Sequence, residues 1–127
     1  MRKLTHMTTA ALAPVMLLAF CLLAPSASAT SIPARSLPCR ASMTNSRPAD
    51  YTSIGVKVRT APYAHIETAA HYRTTTHVKH RTANAHGRRT VWYYISGATP
   101  GYQVVVDVYV SRYHRTGSCS TSFTPHS

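Results

Sequence analysis

Between Tyr102 and Val110 every second residue belongs on one side of an extended chain. Tyr102, Val104, Val106, Val108 and Val110 take one face, while Gln103 and Asp107 fall on the other with Val105 and Tyr109. Period-two alternation of β-branched residues marks a strand with one buried face. It does not fit a helix, where residues two apart point in different directions. The pattern recurs upstream. In Ser53 to Arg59, Ile54, Val56 and Val58 alternate with Ser53, Gly55, Lys57 and Arg59. Ala64, Ile66, Thr68, Ala70 and Tyr72 then share a face, opposite His65, Glu67, Ala69, His71 and Arg73. Arg89 to Ile95 is rich in aromatic and β-branched residues, and Cys119 to Phe123 reads as a short closing strand. Ala61-Pro62-Tyr63-Ala64, Asn84 to Gly87, Pro100-Gly101 and Thr116-Gly117 supply turn chemistry between them. No window of helical length after residue 29 carries a 3.6-residue apolar period. The chain is therefore expected to be all-β, a small barrel or sandwich.

The first 29 residues read differently. Arg2 and Lys3 precede an apolar run from Ala10 to Leu23, Pro25 breaks it, and Ala27-Ser28-Ala29 has the form of a signal-peptidase site. The run is shorter than the ~20 apolar residues of a spanning helix. Phe20 before Cys21 is too bulky for a lipoprotein signal. The expectation is a signal peptide over 1–29, cleaved after Ala29, and an extracellular chain without stable membrane insertion. Cleavage there leaves 98 residues, the 127 of the whole less the first 29, enough for one domain with a thin core. Its expected organisation is an N-terminal arm over 30–52 carrying Cys39, loose as far as Pro38, a strand region over 53–111, and a C-terminal tail over 112–127 carrying Cys119. The two cysteines are expected to pair in an oxidising compartment. A bridge enclosing nearly the whole domain stabilises it by roughly 4–5 kcal/mol on chain-entropy grounds.

Beyond residue 29 the chain keeps 12 Lys and Arg against Asp50, Glu67 and Asp107, a net charge of +9 with neutral histidines. That balance favours anionic polymers or surfaces. It is concentrated in HVKHRTANAHGRR, His77 to Arg89. On a helix His77 and His80 would share a face and could hold a metal; on a strand they point apart, and neither carboxylate nor thiolate is near. The stretch is expected to form a hairpin closed by Asn84 to Gly87, which brings Lys79, Arg81, Arg88 and Arg89 together as a polyanion-binding patch. No metal and no cofactor is expected. His65-Ile66-Glu67 lacks the P-C-x-x-C that zinc deaminase chemistry needs after it. Three acids give little material for a hydrolytic triad or a carboxylate pair, so no enzyme activity is expected. Tyr63, Trp92 and Tyr102 are candidates to line a ligand groove.

A family resemblance sharpens the fold. Val56-Lys57-Val58-Arg59-Thr60-Ala61-Pro62 resembles the opening V-x-V-R-x-x-P of bacterial Src-homology-3-like domains. Trp92-Tyr93-Tyr94-Ile95 is similar to that family's later W-x-x-V strand, Pro100-Gly101-Tyr102 to its G-W/Y turn, and Tyr109-Val110 to its closing Y-L. The stretch from Gly101 to Tyr109 is longer than in that family. The resemblance implies a five- or six-stranded β-barrel over 53–111 that binds and does not catalyse, commonly cell-wall peptides or glycans. An immunoglobulin-like sandwich ranks second, because Cys39 and Cys119 lie outside the strand set and do not pin two inner strands beside Trp92. The expected role is a secreted binding module for cell-wall peptides, glycans or anionic envelope polymers. The alternative is a secreted inhibitor of an extracellular hydrolase, presenting a loop near Tyr63 or Arg73 to an unidentified protein partner. Specific nucleic-acid binding is not expected.

Overall fold

The computed structural model describes residues 35–127. The expected signal peptide and the first residues of the arm lie outside the described residues. Seven strands follow one another: β1 Arg40–Met43, β2 Ser53–Arg59, β3 His65–His71, β4 Thr76–Thr82, β5 Arg88–Tyr94, β6 Val104–Arg112 and β7 Arg115–Phe123. They pair as two antiparallel sheets, one in the order β1-β2-β5 and one in the order β4-β3-β6-β7. In β2, β3 and β6 the alternation follows the sequence, although Ala69, expected on the wet side of β3, is buried. Ile54, Val56 and Val58 of β2, Ile66 and Ala70 of β3, and Val104, Val106, Val108 and Val110 of β6 are all buried.

The pairing of the strands is not what the sequence suggests. Among the described residues the ladders form two sheets and no closed barrel. Asn84 to Gly87 closes no hairpin. It carries the chain from β4, at the edge of the four-stranded sheet, to β5, which pairs with β2 in the other sheet. The hairpins lie elsewhere, between β3 and β4 and between β6 and β7. A turn signal shows that the chain reverses; the same signal serves a reversal within a sheet and a crossing to the facing one. The strand set also extends beyond 53–111. β1 pairs with β2, and β7 runs beside β6 over its whole length, from Val104 opposite Phe123 to Arg112 opposite Arg115.

One apolar core fills the space between the sheets, with Val56, Val58 and Val91 from one side and Ile66, Val106, Val108 and Phe123 from the other. Thr68 is the one buried polar side chain among the described residues, and it has a partner across the core. Its hydroxyl lies 2.5 Å from Tyr93 Oη, which donates to the Thr68 carbonyl at 3.1 Å. Tyr93 is long enough to reach from β5 to β3 because packed sheets stand ~10 Å apart. Burial raises its phenol above the ordinary value, and burial does the same to Tyr72.

A covalent link joins the two sheets at an edge that hydrogen bonds leave open. Cys39, just ahead of β1, is bonded to Cys119 of β7, with Cα atoms 5.5 Å apart. Cys119 lies opposite Val108, on the inward side of its sheet. The bridge thus bears on the strand set directly. The arm beside it is docked from Arg35 onward. Leu37 is buried, and its amide donates to Thr116 O at 2.8 Å. The Leu37 carbonyl occupies the place a Cβ would take at Gly117, so this close approach requires glycine there. Arg115 Nε donates to Arg35 O at 2.9 Å.

Candidate polyanion-binding face

The outward residues of the three-stranded sheet fall in rows set by register. Arg40, Arg59 and Arg88 stand side by side across β1, β2 and β5. Ser42, Lys57 and Thr90 form the next row, Gly55 and Trp92 the next, and Ser53 and Tyr94 the last. Like charges directly opposite one another on a sheet repel, and this sheet contains no acid to relieve them. Nor does relief come from elsewhere. The ion pairs among the described residues are His71 with Asp107 at 2.9 Å and His80 with Glu67 at 3.7 Å. No Lys or Arg among the described residues is paired with a carboxylate.

Beside this row lies a groove of about 660 Å³. Lys57 and Arg59 of β2 form one wall with Arg88, Thr90 and Trp92 of β5. Arg81 of β4, Asn84 and Arg89 line it as well. The groove exists because β4 and β5 are the edge strands of different sheets, so Arg81 and Arg89 line it from different layers. Asn84 holds the crossing in shape. Its side-chain oxygen accepts from His86 N at 2.9 Å and Arg88 N at 3.0 Å, and its carbonyl accepts from Tyr63 N and Gly87 N. Gly87 adopts φ 71° with the Thr60 carbonyl where a Cβ would stand, so no other residue fits that corner without a shift.

Of the four cations expected in the patch, Arg81, Arg88 and Arg89 line the groove. Lys79 is otherwise engaged: its ammonium donates to Trp92 O at 2.7 Å and lies 4.9 Å from the Tyr93 ring centroid. It ties β4 to β5 across the gap. Lys57 and Arg59 join the groove from β2, and Arg40 joins the row from β1. The wet side of β2 is readable in its alternation. Arg40 carries no such signal, because β1 has no clear apolar period of its own.

The three aromatic candidates are not brought into one groove. Trp92 lines the cationic groove and is 54% exposed. Tyr63 sits in the turn between β2 and β3, close to Arg112 at the end of β6. Tyr102 precedes the start of β6 and is hydrogen-bonded to Thr99 O. At ~3.3 Å per residue, β6 keeps its two ends well over 20 Å apart. The sequence offered three aromatics in or beside matching motifs, but not their distance in space.

The histidines divide as strand alternation requires. His77 packs edge-on against Tyr72, while His80 faces the other way, stacked on His65 at 5.5 Å and paired with Glu67. His71 binds Asp107 through Nε2 and Thr76 through Nδ1. No group of three or more histidine, cysteine or acidic residues converges among the described residues, and no described helix is long and apolar enough to cross a membrane. No protein-family model matches the chain, and no curated protein matches it significantly.

Proposed function

We propose that this protein is an exported, non-catalytic binding module whose cationic face holds an anionic polymer of the cell envelope. One observation carries the proposal. Arg40, Lys57, Arg59, Arg81, Arg88 and Arg89 gather on one face and its groove, and none is paired with a carboxylate. A folded domain gains nothing from placing three arginines in a row, and the repulsion is relieved when an anion binds across them. The bridge between Cys39 and Cys119 supports an oxidising compartment, in agreement with cleavage after Ala29. The face does not need a catalytic group to work. It supplies guanidinium groups free of carboxylate partners and an adjacent aromatic surface.

As the fold family we propose an immunoglobulin-like sandwich ahead of the Src-homology-3-like barrel. Support comes from seven strands in the orders β1-β2-β5 and β4-β3-β6-β7, with β5 returning to pair with β2 after two strands spent in the facing sheet. The bridge runs from the start of β1 to β7, and Trp92 faces outward, so the central disulfide-and-tryptophan arrangement of antibody domains is not used.

The test is binding to isolated anionic wall polymer across salt, for the native protein and for a variant with Arg59, Arg88 and Arg89 changed to Ser. Native binding should weaken steeply as salt shortens the screening length toward ~8 Å at physiological strength. Equal binding by both proteins would falsify the assignment. A second possibility rests on the turn that borders the groove, where the Tyr63 amide donates to Asn84 O. Tyr63 and Tyr113 are exposed with φ of 57° and 54°, and the Arg112 guanidinium lies within 6 Å of both ring centroids. Left-handed tyrosines are strained, and an exposed Tyr–Arg–Tyr tip suits contact with a protein. This supports the inhibitor alternative, which a panel of extracellular hydrolases would examine: inhibition lost on Tyr63→Ala and Tyr113→Ala would favour it over polymer binding.

A further inference from the structure

We propose that the polymer held by this face is an acidic polysaccharide in which charged and uncharged sugars alternate, with Trp92 stacking on an uncharged ring while Arg59 and Arg88 hold the anionic groups of its neighbours. The proposal rests on the polyanion assignment above and narrows it.

A polymer recognised by charge alone would need only the arginine row. The face offers more. Trp92 and Tyr94 point outward on β5, 54% and 61% exposed, on the same side as Arg88. Trp92 is also held in place. Opposite it stands Gly55, where a Cβ would come within 2.7 Å of Thr90 Cγ2, 3.0 Å of Thr44 Cγ2 and 3.3 Å of Trp92 Cζ3. The indole and two threonine methyls thus close over the glycine, and the ring lies braced against the sheet with its remaining surface free. A braced aromatic surface loses little side-chain freedom on binding. Between Trp92 and the arginines comes a row that mixes hydroxyls with one ammonium, Ser42, Lys57 and Thr90. Those side chains offer hydrogen-bond donors and acceptors to sugar hydroxyls.

Spacing separates this ligand from other polyanions. Trp92 lies four residues from Arg88 along β5, about 13 Å at the strand rise. The rows of Trp92 and Tyr94 hold no cation, since their partners on β2 are Gly55 and Ser53. A single-stranded nucleic acid carries a phosphate beside every stacked base, and sites for it track the backbone with cations along the aromatic surface. Here the arginine row stands two rows from Trp92 with only the Lys57 ammonium between them, so charge is concentrated to one side of the stacking ring, as suits a chain whose anionic units alternate with neutral ones. Inorganic polyphosphate has charge at every unit and no ring to stack.

The experiment measures affinity for three probes of matched charge: a hyaluronan octasaccharide, which alternates uronate with an uncharged amino sugar, polyphosphate, and oligothymidylate. The proteins are the full chain, Trp92→Ala, Trp92→Phe, and Arg59→Ser with Arg88→Ser, each accepted only with a native thermal midpoint. Trp92→Ala should lower octasaccharide affinity roughly tenfold, the worth of about 1.4 kcal/mol, and leave polyphosphate within about twofold. Trp92→Phe should restore most of the loss. The arginine pair should weaken both probes. Equal losses for octasaccharide and polyphosphate on Trp92→Ala, or no loss for either, would overturn the proposal. So would a larger Trp92 dependence for oligothymidylate than for the octasaccharide. If instead the arginine variant binds polyphosphate as well as the native chain, the polyanion assignment itself fails.

Discussion

The two broad faces of this protein are built from the same material and end up chemically opposite. The outward side of the three-stranded sheet carries Arg40, Lys57, Arg59 and Arg88, with no acid. The outward side of the four-stranded sheet carries Glu67 and Asp107, the histidines paired with them, and a row of Thr116, Ser118, Ser120 and Ser122 along β7, with no Lys or Arg. Each carboxylate there has a histidine partner, while each arginine of the other face has none. One face is internally satisfied and the other is left charged. In a chain with four times as many Lys and Arg as acids beyond residue 29, neutralising every cation is arithmetically impossible. Placement has put six of those twelve, Arg40, Lys57, Arg59, Arg81, Arg88 and Arg89, in one patch.

That contrast can be broken at several levels. The largest effect should come from what the faces share. Cys39→Ser with Cys119→Ser removes the link between β1 and β7, and unfolding free energy should fall by roughly 2–5 kcal/mol. Denaturant melts of the variant and of the native protein check it. A loss below about 1 kcal/mol would mean that the core alone holds the sheets in place.

Next comes the buried hydrogen bond between the sheets. Tyr93→Phe leaves the Thr68 hydroxyl without its close partner and should destabilise by roughly 1–3 kcal/mol. It has a pH signature too. Burial raises the Tyr93 and Tyr72 phenols, so the folded chain holds these protons more tightly than the unfolded one. The contribution is complete below the ordinary value of about 10. It is lost as pH rises beyond that point, because the unfolded phenols ionise first. Melts between about pH 9 and pH 11 should show falling stability, and a shallower fall in Tyr93→Phe.

The faces themselves should then separate. Changing Arg59, Arg88 and Arg89 to Ser should lower the logarithmic salt dependence of anionic-polymer binding by about 2 to 3, since each of the three lost contacts releases roughly 0.7–0.9 of a counterion. Changing Val78 and Tyr109 to Ser, on the opposite face, should leave both affinity and slope as they were. If those two changes reduce binding as much, the contrast between the faces is false.

The smallest effect should come from the histidine face. Glu67→Gln removes an exposed pair at 3.7 Å, and pairs of this kind contribute about 0–1 kcal/mol. Its thermal midpoint should stay near the native one, with polymer binding unchanged.

Much of this was readable before any coordinate. The alternation of Ser53 to Arg59 gives β2 with its bounds and both faces, including the wet side where Lys57 and Arg59 stand. The valines of β6 give its buried face. The pairing of Cys39 with Cys119 follows from two cysteines in an expected export product. His77 and His80 part company because a strand sends them to opposite sides. Other features had no local signal. β1 is four residues without an apolar period, and β7, rich in Ser and Thr, reads as a strand only from Cys119 onward.

The residues of each segment fix its conformation and which side of it is dry, because backbone sterics and solvent act on every residue where it stands. Tertiary structure decided which strands would be neighbours. β4 and β5 are joined by a short turn yet lie in different sheets, because β5 finds its ladder along β2 and its inward side chains join the common core, where Tyr93 reaches Thr68 of β3. That choice set Arg88 beside Arg59 and Arg40, opened the groove between the layers, and sent Tyr63 and Tyr102 to opposite ends. Pairing is a long-range selection among strands of nearly equal local character, decided by how well their buried faces fill one common core, and a list of residues does not state it.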